Sequence, residues 1–67
     1  MNIEETKRAF RERCAVELNG TRHTCISALI YRKSGPDIVL QVELLDQNAN
    51  SVTIAHHSRV HKCERIL

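Results

Sequence analysis

Two hydrophobic periods divide the chain at about residue 14. Before it, apolar residues are few and helically spaced: Ile3, Phe10 and Cys14 lie at i, i+7 and i+11, a single narrow stripe. The stretch holds no Gly or Pro and many straight-chain residues that favour helix. Asn2 followed three residues later by Glu5 has the form of a capping box. A helix over about 3–13 is predicted, with Glu4–Arg8 and Arg8–Glu12 as i,i+4 pairs. So thin a stripe does not hold a helix alone in water, so the helix must dock, and Phe10 is the anchor expected.

Beyond residue 14 the period becomes two. Val16 and Leu18 alternate with Ala15 and Glu17, and Asn19-Gly20 is the strongest short hairpin signal, because a type I′ turn needs positive φ twice. That turn sets Leu18 against Thr21, Glu17 against Arg22 and Val16 against His23, and its extension sets Cys14 opposite Cys25. The alternation predicts strands over about 15–19, 22–32, 38–46, 51–55 and 60–66. In the second, Ile26, Ala28 and Ile30 share one face and Cys25, Leu29 and Tyr31 the other. A strand apolar on both faces must bend or be covered twice. Ser34-Gly35-Pro36-Asp37 breaks the chain. Ile38, Leu40, Val42 and Leu44 then give one unbroken apolar face. The fourth strand is read with Val52 and Ile54 inward, and His56-His57-Ser58-Arg59 as a single helical turn or loop.

One helix followed by five short strands makes a mainly β domain. Residues 1–67 form a single unit, the helix 3–13 plus a small barrel over 14–67. A five-stranded sheet with one apolar face buries it best on itself, and closure removes the edges. The long bent second strand, and the strand, single turn and strand from Val52 through Val60, resemble the SH3-like small β-barrel. The alternative is an open antiparallel sheet packed on the helix. The chain as a whole also resembles small uncharacterised proteins carried on prophages and mobile elements of Gram-positive bacteria. That resemblance brings no catalytic motif and implies an origin more than an activity.

Composition narrows the functions open to such a fold. Seventeen of the 67 residues are Val, Ile or Leu, enough for a folded core, while Phe10 and Tyr31 are the only aromatics among Phe, Tyr and Trp. Net charge is +2, too mild for obligate wrapping of nucleic acid. No apolar run approaches a membrane span, and a charged N-terminus from Glu4 on argues against a signal peptide. The expectation is a cytoplasmic protein without a membrane partner.

Three cysteines, an odd number, are expected as free thiols. A zinc site would draw on Cys14, Cys25, His61 and Cys63, but no C-x2-C pair delivers them, so no metal is expected. Nor is there a nucleophile elbow, a phosphate loop or a metalloprotease motif. With so little volume for an enclosed site, the chain reads as no enzyme, with no catalytic residue, no cofactor and no small-molecule substrate.

The tail carries the clearest pattern. His56, His57, Arg59, His61, Lys62 and Arg65 form a candidate basic face, which Arg22, Arg32 and Lys33 extend, as Lys7, Arg8 and Arg11 do from the helix. Such a face contacts phosphates. With Tyr31 the sole exposed aromatic expected, binding would follow the backbone with low sequence specificity. The reading preferred is a protein-binding adaptor. Near-neutral charge and apolar residues expected on outward faces (Leu29, Val39 and Leu45) fit a protein partner or a homodimer patch. Nucleic-acid binding by the basic face is the alternative. If His56, His57 and His61 meet an acidic partner, binding should strengthen as pH falls toward about 6.

Overall fold

The computed structural model describes residues 1–63. Helix α1 (Ile3–Glu12) is followed by strands β1 (Val16–Leu18), β2 (Thr21–His23), β3 (Cys25–Ser34), β4 (Asp37–Leu45) and β5 (Val52–His56). A single 3-10 turn (His57–Arg59) then leads to β6 (Val60–Lys62). The part of the expected last strand beyond Cys63, and Arg65 with it, lies outside the described residues.

The helix begins as its capping residues dictate. The Asn2 side chain accepts from the Glu5 amide at 2.8 Å, and the Glu5 carboxylate accepts from the Asn2 amide at 3.0 Å. It ends where Arg13 turns left-handed, at φ 54°, and the Cys14 amide reaches back to the Ala9 carbonyl at 3.1 Å. The expected stripe is kept in part. Phe10 and Cys14 are half-buried against the core, but Ile3 is exposed, and the fully buried helix residues are Thr6 and Ala9. Small side chains at 6 and 9 let the helix approach the sheet closely, and the Thr6 hydroxyl is satisfied by the Asn2 carbonyl at 2.7 Å.

The Asn19-Gly20 turn forms with φ of 52° and 81°, and the pairs Val16–His23, Glu17–Arg22 and Leu18–Thr21 follow as expected. The hairpin stops there. At Thr24 the long second strand leaves β1: the Thr24 amide donates to the Leu45 carbonyl at 2.9 Å, and Cys25 pairs with Leu45. Cys14 and Cys25 are therefore not opposed.

A second irregularity follows at once. The register of β3 on β4 shifts between Ile26 and Ala28, leaving Ser27 as an extra residue. Its hydroxyl donates to the Glu43 carbonyl at 3.2 Å and to the Glu43 carboxylate at 3.0 Å. The bulge exchanges the faces of everything after it. Ile26 pairs with Leu44 and Leu29 with Val42, so Leu29 packs on the core, while Ala28 and Ile30 pair with Glu43 and Gln41 on the other side. This reverses the faces expected for Ala28, Leu29, Ile30 and Tyr31.

Two open three-stranded antiparallel sheets result, sheet A in the order β2-β1-β6 and sheet B in the order β3-β4-β5. Because β2 and β3 are one chain path bent at Thr24, the strands run β6, β1, β2/β3, β4, β5 without a crossover. The two ends of that path, β5 and β6, are not hydrogen-bonded to each other, so the described residues do not form a closed barrel. The 3-10 turn carries the chain directly from one sheet to the other. The core lies between the sheets and under the helix: Ala9, Val16, Ile26, Val42, Leu44 and Val60, flanked by Met1, Phe10, Cys14, Leu18, Leu29 and Ala55.

Candidate interaction surface

Strand β5 has the phase opposite to the one expected. Asp46 donates to the Ser51 carbonyl at 3.0 Å, and from there Leu45 pairs with Val52, Leu44 with Thr53, Glu43 with Ile54 and Val42 with Ala55. Thr53 and Ala55 thus lie on the core side, and Val52 and Ile54 point away from it, 50% and 43% exposed. The polar loop between Asp46 and Ser51 sets this phase, and counting back from it would have placed Val52 beside Leu45.

The outer face of sheet B is consequently richer in apolar groups than the alternation suggested. Its rows are Cys25–Leu45–Val52, Ala28–Glu43–Ile54 and Ile30–Gln41–His56, with Arg32–Val39 beyond. Val39 and Leu45 stand on it as expected, half-buried, while Leu29 does not. Past the Ile30 row β5 ends, and β3 and β4 continue as a two-stranded arm with Tyr31–Leu40, Arg32–Val39, Lys33–Ile38 and Ser34–Asp37 as its pairs. Tyr31 is 56% exposed and Ile38 68%, so Ile38 leaves the buried face that Leu40, Val42 and Leu44 keep. The arm helps to give the molecule its length of 43 Å against widths of 24 and 21 Å.

The structure does not gather the candidate cations into one face. Arg32 and Lys33 sit on the arm, where Arg32 Nε donates to Gln41 Oε1 at 2.6 Å. At about 3.3 Å per residue, Arg32 lies roughly 20 Å along β3 from Cys25. Arg22 and His61 flank Glu17 on opposite sides across sheet A. Lys62 pairs with Val16, and Arg59 stands exposed on the 3-10 turn.

Two of the histidines serve the backbone. The His56 ring caps the turn, accepting from the Ser58 amide at 3.2 Å, with the Ser58 hydroxyl 2.8 Å away. His57 Nδ1 lies 2.8 Å from the Met1 carbonyl, and the Met1 amine donates to the Val60 carbonyl at 2.7 Å. The two rings lie 4.5 Å apart, tilted by 31°. His23 is buried at 7% exposure, and its Nδ1 has no partner among the described residues.

The three cysteines sit in different settings. Cys14 lies 3.7 Å from the Glu12 carboxylate, Cys25 faces Leu45, and the Cys63 amide donates to the Ala15 carbonyl at 3.2 Å. All three are free thiols, half-buried. Among the described residues no group of three or more His, Cys, Asp or Glu is placed to hold a metal ion. A depression of about 650 Å³, open to solvent, is lined by Met1, Glu5, Glu17, His61, Lys62 and Cys63. Carboxylates and cations alternate along it, so it offers no single charge to a ligand. No described helix is long and apolar enough to cross a membrane.

Comparison with known proteins finds no matching family, no matching curated protein and no matching solved structure.

Proposed function

We propose that the chain is a small non-enzymatic interaction module, an adaptor or accessory protein of phage or mobile-element origin. In this reading it is an SH3-like barrel left open between β5 and β6, and it docks a protein partner on the outer side of sheet B. One observation carries the reading: Val52, beside Leu45, and Ile54 stand exposed on a strand that has a neighbour on one side only among the described residues. The inner faces of the strands already supply the core, so these apolar groups are not needed to fold the domain. Exposed apolar surface next to a free strand edge is the arrangement that partner strands and apolar side chains recognise. The single-turn connection and the bend at Thr24 support the barrel reading.

Nucleic-acid binding is the weaker reading, because Arg32 and Lys33 are remote from Arg22, His61 and Lys62, and a carboxylate, Glu17, lies between Arg22 and His61. Capture from the native cell at two salt concentrations, with nuclease treatment, separates the two. The proposal expects a nuclease-resistant protein partner that is lost when Val52 and Ile54 are both changed to Lys and kept when Arg32 and Lys33 are both changed to Glu. Retention on DNA that falls steeply with salt, and depends on Arg32 and Lys33, would sink it.

A further inference from the structure

The free edge of β5 has a geometry that identifies its partner more closely. In an antiparallel pair, residues alternate between those that bond to the neighbouring strand and those that bond away from it. The Asp46 amide bonds to the Ser51 carbonyl, so Ser51, Thr53 and Ala55 face β4 with their backbone groups. Val52 and Ile54 therefore point their N–H and C=O groups outward, as His56 does its N–H, while the His56 carbonyl opens the 3-10 turn; no described strand takes the outward groups.

Natural edges are usually blunted by charge, proline, a bulge or brevity. Strand β6 has two of these protections, being three residues long and carrying Lys62. Strand β5 reads Val-Thr-Ile-Ala-His and has no Asp, Glu, Lys, Arg, Pro or bulge.

We propose that β5 pairs antiparallel with β5 of a second copy about a two-fold axis at Ile54. This rests on the reading of sheet B as the docking side. The outward positions 52, 54 and 56 are spaced symmetrically about Ile54, so a copy of the same strand meets each of them. Ile54 meets Ile54 with both bonds, and the His56 amide of each copy donates to the Val52 carbonyl of the other, which closes four bonds. With no charged residue on the strand, identical copies meet without repulsion. On the outer face the two Ile54 side chains cover one another, and the two sheets B join as one six-stranded sheet. The contact is confined to one five-residue strand from each copy, which places it among weak, reversible associations rather than obligate dimers.

The test is molar mass by sedimentation from micromolar to millimolar chain, together with amide exchange at both limits. The mass should rise from 7.7 kDa toward twice that value. The amides of Ile54 and His56 should gain protection with concentration, while those of Thr53 and Ala55 stay protected throughout. Ile54→Lys should abolish the rise and leave the far-ultraviolet spectrum and the melting midpoint unchanged.

A mass that stays constant overturns the proposal, as does a dimer that survives Ile54→Lys. So does protection of the Ile54 and His56 amides that ignores concentration, which would mean that the edge is covered within one chain. A monomer that loses a captured partner on the Val52 and Ile54 changes also overturns it, while leaving the interaction-module reading intact.

Discussion

The two faces of sheet B are made of alternating residues of the same three strands, yet they have different fates. On the inner face Ile26, Leu29, Val42 and Leu44 meet the helix and sheet A, and three of the four are buried. On the outer face Ile30, Val39, Leu45, Val52 and Ile54 are nearly as apolar, and none is buried. Hydrophobicity alone therefore does not decide burial in this chain. Burial follows from which face has another layer to pack on, and the apolar groups without such a layer are what remains for a partner.

Removing side chains from each face measures that difference. Leu44→Ala takes a fully buried side chain from the inner face and should cost about 2–5 kcal/mol, a large part of the whole stability of so small a domain. Chemical denaturation would show it, and a loss below about 1 kcal/mol would mean that the core is looser than its burial indicates. Phe10 is half-buried where helix meets sheet, so Phe10→Ala should cost less, about 1–3 kcal/mol. An unchanged melting curve there would detach the helix from the fold and make it a second candidate for contact.

The inner side also tests what it tolerates. His23, opposite Val16, has a buried Nδ1 without a partner among the described residues, a group that costs about 1–3 kcal/mol when left unsatisfied. His23→Leu should therefore raise the melting midpoint, and a fall would show that the imidazole has a role the folded chain alone does not reveal. The smallest effect is expected outside. Ile54→Lys should change monomer stability by no more than about 0.5 kcal/mol, as for surface positions in general. A loss comparable to that of Leu44→Ala would erase the contrast between the faces and, with it, the case for a docking surface.

Much of this was legible in local signals. Asn2 and Glu5 announce the helix start, Asn19-Gly20 announces the first turn and its register, and the unbroken Leu40, Val42 and Leu44 series announces the inner face of β4. Each depends on groups a few residues apart, so composition and spacing suffice. The face of β3 was not legible, because one extra residue at Ser27 inverts every side chain after it, and Ser is an ordinary strand-exterior residue. The phase of β5 failed for a related reason: Val52 and Ile54 look like inward residues until the pairing of Asp46 with Ser51 is counted. The extent of the basic face was not legible either, because no local signal sets the distance between cations on separate strands, and the strand directions send Arg32 and Lys33 away from Arg22 and His61.

The linear chain by itself determined one helix, the strands and tight turns that follow it, and enough aliphatic residues for a single small core, since these rest on short-range propensity and period. Only the tertiary structure decided which side of each strand is covered, that the two terminal strands of the path, as far as the chain is described, are not paired with each other, and which backbone groups on β5 face outward. Those outcomes depend on bulges, bends and registers, where a shift of one residue costs little locally and reverses a whole face.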